Sequence, residues 1–181
     1  MQPPDSRLPA PLGRSLARTE SSSLLAPSLV VALSGARRRA LRDGDRQVDT
    51  AHLLHALVES DPDVVAVLDG DRQLARVLGY LAQRSIGYGL RWQRTVEGPG
   101  EGAGVQAVPG WSPFAVAALE GAVLRAAGRG AEQVCALDLF ALVVAGEPGC
   151  RAVEVLRRAG VDPAAVSARI TGMAALPSQQ V

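Results

Sequence analysis

"PSLVVALSGARRRALRDG", Pro27 to Gly44, returns as "PFAVAALEGAVLRAAGRG", Pro113 to Gly130. Sliding the chain against itself by 86 residues aligns Pro27–Leu68 with Pro113–Glu154 without a gap, and 16 of the 42 positions are identical. Matched pairs include Gly35 with Gly121, Gly44 with Gly130, Val48 with Val134 and Pro62 with Pro148. Chance likeness between alanine-rich helices explains a few such pairs. It does not explain a gapless register that keeps both the glycine and the proline punctuation, so the chain is read as a tandem repeat.

The same punctuation gives the secondary structure. Each quoted segment has helical periodicity, a proline near its start and a glycine that fits a C-terminal stop. In the second helix of each unit, Thr50 is expected to cap "AHLLHALVES", whereas Ala136 offers no oxygen before "LDLFALVVAG". Third helices are expected to open at Asp61-Pro62 and Glu147-Pro148, where proline in the first turn costs nothing. Fourth helices are expected from near Asp71 and from Asp162-Pro163.

No segment reads convincingly as a strand. The fold class is therefore all-α, two tandem four-helix repeats packed with pseudo-twofold symmetry. Leu53, Leu54, Leu57 and Val58 form one apolar stripe and Leu139, Phe140, Val143 and Val144 its equivalent. Helices of about ten residues do not stand alone, so these stripes must pack together. The expected organisation is a disordered tail over 1–22, repeat 1 over 23–86, a linker over 87–110, repeat 2 over 111–172 and a disordered tail over 173–181. The linker "GYGLRWQRTVEGPGEGAGVQAVPG" is glycine-rich and reads as a flexible connection.

Composition narrows the function. The 181 residues carry 19 basic against 18 acidic side chains, which leaves no strong field for nucleic acid or an anionic membrane. Every basic residue is arginine, and there is no asparagine. Without lysine there is no Walker A loop and no Schiff-base chemistry on a side chain. Aromatic content of 3% argues against a base-stacking or sugar-binding platform. "RSLARTESSSLLAPSLVVALSGA" imitates a secretory leader, but the repeat reuses its apolar stretch as an internal helix. A cytoplasmic location is expected.

The repeat unit resembles the Clp N-terminal repeat found at the front of Hsp100 unfoldases such as the Clp C proteins. The likeness runs over roughly residues 25–172. Trp111-Ser112-Pro113, Gly130 and "GCRAVEVLRRAGVD", Gly149 to Asp162, resemble the second family repeat. Thr50, His52, Leu53, Leu54, Ala56 and Leu57 fit the family's "TEHLLLAL" except at the glutamate and one leucine.

That resemblance implies a recognition surface rather than an enzyme. Family modules engage adaptors and client proteins and, in some members, phosphorylated arginine or cyclic peptide antibiotics. Phosphoarginine recognition depends on the glutamate of each "TEH". Ala51 and Leu137 occupy those positions here, so it is not carried over. An apolar inter-repeat groove is expected instead, with Leu25, Leu29, Trp111 and Phe114 as contacts and Ala51 and Leu137 beside them. The expected partner is a peptide or protein: the unfoldase, an adaptor, a client or a cyclic peptide. The chain reads as a monomeric, free-standing adaptor or decoy without a motor, needing no cofactor.

Two rival readings remain. His52 and His55 lie on nearly one helix face with Asp49 close by, a candidate metal or catalytic centre. Their i, i+3 spacing lacks the intervening glutamate of H-E-x-x-H, and His52 falls on the family's structural histidine. A dimerising scaffold is the other rival. Cys135 and Cys150 read as free thiols, and Arg37, Arg38 and Arg39 as a largely solvated face. No G-x-S-x-G elbow or catalytic Cys-His signature occurs.

Overall fold

The structure, a computed structural model, describes residues 24–86, 95–98 and 110–175. The expected tail over 1–22, residues 176–181 of the expected tail over 173–181, and most of the linker lie outside the described residues. The first unit contains α1 (Pro27–Arg42), α2 (Thr50–Ser60), α3 (Pro62–Ala66) and α4 (Gly70–Ile86). The second contains α5 (Pro113–Gly128), α6 (Ala136–Val144), α7 (Arg151–Arg158) and α8 (Pro163–Ala175). Helix α8 thus continues through residues 173–175, which the sequence assigns to a tail.

Local chemistry explains most of the boundaries. Both first helices begin on a proline, and Ser112 also caps α5 by accepting from the Ala115 N–H at 3.1 Å. Both are followed by a glycine in the left-handed region, Gly44 at φ 72° and Gly130 at φ 67°. A side chain is strained there, which is why the repeat keeps glycine.

Two expected boundaries are corrected. The cap of α2 is Asp49, not Thr50: its carboxylate accepts from the His52 N–H at 2.9 Å, and its own N–H donates to His52 Nδ1 at 3.1 Å. This reciprocal box satisfies two helix-end donors and releases the Thr50 hydroxyl for other work. Helix α7 begins at Arg151, after the expected Glu147-Pro148, because a turn intervenes. Gly149 takes φ 99°, and the Cys150 N–H donates to the Glu147 carbonyl at 3.0 Å.

The two apolar stripes form the centre of the molecule. Leu53, Leu54 and Leu57 from α2 and Leu139, Phe140 and Val143 from α6 are fully buried, each contributing roughly 1.5–3 kcal/mol. Helix α2 packs against α6 and α7 of the other unit, so one core spans both repeats. Leu29 and Ala32, within the leader-like stretch, belong to that core.

The main chain shows how the units are related. Leu25 bridges Val134 and Val48 bridges Trp111. The Ala26 N–H donates to the Val134 carbonyl and the Ser112 N–H to the Val48 carbonyl, both at 2.9 Å. The Val134 N–H donates to the Leu24 carbonyl and the Val48 N–H to the Gly110 carbonyl, both at 2.8 Å. A shift of 86 residues turns each bond of these pairs into the other. Such exchange is the signature of a self-complementary, twofold-like contact, here made within one chain.

Candidate binding site at the inter-repeat junction

Where the units meet, three helix starts converge: α2 from repeat 1 and α5 and α7 from repeat 2. Residues Thr95–Gly98, inside the expected linker, lie across them as a strap. Val96 faces outward, Gly98 sits against Pro113, and Glu97 turns inward with only 4% exposure. These four residues of the expected linker make contacts with both repeats.

The Glu97 carboxylate is gripped from both repeats. Oε2 accepts from the Thr50 N–H at 2.8 Å and the Ser112 hydroxyl at 2.7 Å. Oε1 accepts from the Arg151 N–H at 2.6 Å and from the Thr50 hydroxyl. The Thr50 hydroxyl in turn accepts from the Ala152 N–H at 3.0 Å, tying α2 to α7. Burial, followed by the neighbouring Asp49, pushes the Glu97 pKa up, while the hydrogen bonds from Thr50 and Ser112 pull it down; the net direction is upward.

Beside it runs a second buried pair. The Arg151 guanidinium donates to Asp49 at 2.6 Å and holds the strap through the Thr95 carbonyl at 2.7 Å and the Thr95 hydroxyl at 2.9 Å. Both side chains of this ion pair are buried. A cavity of roughly 810 Å³ opens next to them, with Asp45, Arg46, Asp49, Thr95, Glu97 and Arg151 among its lining residues. Its lining is largely polar, which corrects the expectation of an apolar groove here.

The six expected contact residues separate into two groups. Leu25, Leu29, Ala51 and Trp111 lie in the core, and Leu25 and Trp111 are the residues whose backbones bridge the repeats. They hold the units together, so no surface partner reaches them without opening that core. Phe114 and Leu137 are half-buried and pack on the core from its edge. Arg38 is exposed, while Arg37 lies over the Trp111 ring at 5.2 Å and Arg39 pairs with Glu59.

The histidines part company as well. His52 Nε2 faces Asp45 at 3.2 Å and Asp43 at 3.8 Å, while His55 Nε2 pairs with Glu59 at 3.0 Å. Among the described residues the grouping with metal-ligand geometry is Asp45, Asp49 and His52, without His55. Its members already have protein partners: Asp49 holds Arg151 and the α2 amide, and His52 Nδ1 accepts the Asp49 N–H.

Repeat 2 fills the equivalent positions with a different pair. Asp138 takes the place of His52, and its carboxylate binds Arg129, the counterpart of Asp43, at 2.6 Å. The thiols are both free, Cys150 buried and Cys135 partly so; burial is the first cause that pushes each pKa up.

Glu97 and Arg151 are the functional candidates that sequence reasoning missed. Glu97 stands in a glycine-rich run with no periodicity, and Arg151 aligns with Val65 in the other repeat.

The architecture is an all-α double-repeat module whose two units share one core and one polar junction. This is the fold of the N-terminal domains of Clp-type chaperones. The Hsp104 N-terminal domain from Candida albicans matches with a TM-score of 0.63 at 10% identity, over 84% of this chain and 93% of that one. The N-terminal domain of ClpD, a caseinolytic protease associated chaperone from Arabidopsis thaliana, matches with a TM-score of 0.58 at 18% identity, over 84% of this chain and 97% of that one. No family model matches the sequence, and no curated protein matches it significantly.

Proposed function

We propose that the protein is a non-catalytic binding module that receives a peptide or protein segment at the inter-repeat junction and works with a Clp-type unfoldase, as adaptor or decoy. The observation that carries this reading is the junction itself: the cavity meets both repeats where buried, hydrogen-bonded polar groups converge. Ligand sites combine a concave surface with a few fixed polar groups, and the junction supplies both. Phe114 and Leu137, which keep partial exposure, are the proposed apolar contacts. The fold likeness to chaperone N-terminal domains supports a protein partner. No described helix is long and apolar enough to cross a membrane, and a cytoplasmic location is part of the same proposal.

Pull-down of a Clp-type unfoldase and its adaptors with the purified chain, alongside calorimetric titration with cyclic peptides that target the unfoldase, tests the reading. Retention of the unfoldase supports an adaptor and tight peptide binding supports a decoy, whereas silence in both overturns the proposal.

A further inference from the structure

The donors around Glu97 form a complete receptor for a carboxylate. Ionised carboxylate oxygens offer about four lone-pair positions, and four donors fill them: two main-chain N–H groups and two hydroxyls. None belongs to the strap that carries Glu97. Thr50 comes from repeat 1, and Ser112 and Arg151 from repeat 2, so the receptor is assembled by the fold. The two N–H groups stand at the first positions of α2 and α7, where helix ends favour negative charge. Glu97 itself is a guest, brought in on a short segment whose next residue outward, Val96, is exposed to solvent.

We propose that the junction is a carboxylate-binding site which this chain fills in cis with Glu97, and that a carboxylate presented by another peptide takes the same four donors when the strap lifts. The inference rests on the junction being the binding site and adds the chemical class of what it accepts. A ligand of this kind enters as an acidic side chain on an extended segment, copying the strap. Neighbouring charge makes the site selective. Asp49 and Asp45 line the adjoining cavity and disfavour a multiply charged anion, while the Arg151 guanidinium already pairs with Asp49. A single carboxylate is therefore the fitting guest, and a phosphate is not.

The test is chemical rescue of Glu97→Ala by small anions, with no protein partner present, so its outcome is independent of the pull-down. Removing the side chain leaves four buried donors unmet and is expected to lower the melting temperature by roughly 5–15 °C. Propionate at neutral pH is expected to restore part of that loss with a saturable dose dependence, as for a ligand that binds only the folded state. Propionamide and inorganic phosphate are expected to do less, and the wild-type protein not to respond. Equal recovery with propionamide, recovery with phosphate alone, or no saturable recovery overturns the proposal.

Should E97A not fold, Glu97→Asp retracts the carboxylate by one methylene and leaves the strap in place. Amide exchange at Thr50 and Arg151 is then expected to quicken relative to wild type and to slow again with propionate. Exchange that responds to neither change also overturns it.

Discussion

Arg151→Ala removes a guanidinium that donates to Asp49 Oδ2 at 2.6 Å and to the Thr95 carbonyl and hydroxyl at 2.7 and 2.9 Å. Asp49 is 1% exposed and Arg151 6%, so the pair is desolvated in the native protein. The Asp49 carboxylate keeps its bond from the His52 N–H on Oδ1 but loses its charge partner on Oδ2. Breaking a buried ion pair from one side costs about 3–5 kcal/mol. At about 2–4 °C per kcal/mol for a chain of this size, the melting temperature falls by roughly 6–20 °C.

Urea unfolding followed by far-ultraviolet circular dichroism measures this directly, with Asp49→Ala and the double variant completing a cycle. Because the two groups meet only across the junction, the double variant is expected to cost clearly less than the sum of the single ones. Arg151→Lys is expected to fall in between, since an ammonium cannot span Asp49 and Thr95 in the same planar fork. A loss below about 1 kcal/mol for R151A would place the pair among ordinary exposed ion pairs and refute the reasoning. Strictly additive single variants would refute it as well.

Glu97→Gln separates the charge of Glu97 from its shape. The pKa of Glu97 is raised in the folded protein, chiefly by burial. The native state then holds the proton to higher pH than the unfolded chain does. Its contribution is fully present below the ordinary carboxylate range, near about 4.3, and is lost as pH rises through the folded value. The stability of wild type relative to E97Q is thus expected to decline from acid to neutral pH; thermal melts at stepped pH check this, and a difference that grows with pH contradicts it. The aligned glycines of α1 and α5 are expected to answer differently to alanine. A Cβ at Gly35 meets the Ala56 Cβ at 3.5 Å, an ordinary contact, so Gly35→Ala gains about 0.5–1 kcal/mol of helix propensity. At Gly121 it meets the Leu142 Cδ1 at 2.8 Å, so Gly121→Ala loses that gain to repacking, and denaturant midpoints of the two variants compare them. Timed labelling with a thiol reagent is expected to modify the half-buried Cys135 before the buried Cys150, both slowly because burial raises both pKa values.

How much was legible in the sequence depended on the range of the interaction. Gly44 and Gly130 marked helix stops because a positive φ is a local demand, and the proline-led helix starts and apolar stripes are equally local. The 86-residue repeat carried these signals twice. The capping box is not legible in the sequence because Asp49 and Thr50 are both good caps, and Thr50 is engaged by a carboxylate 47 positions away. Leu25 and Trp111 read as surface contacts because sequence shows that a side chain is apolar, and only packing shows which apolar groups are covered.

The sequence by itself determined the class of fold, since periodicity, glycine stops and the repeat are written along the chain and leave the apolar stripes one way to be buried. Only the tertiary structure decided the site. Glu97 meets the Arg151 amide across 54 positions and Asp49 meets the Arg151 guanidinium across 102. A buried charge must find its partner wherever folding brings one, and no local pattern in a glycine-rich segment records which acid that will be.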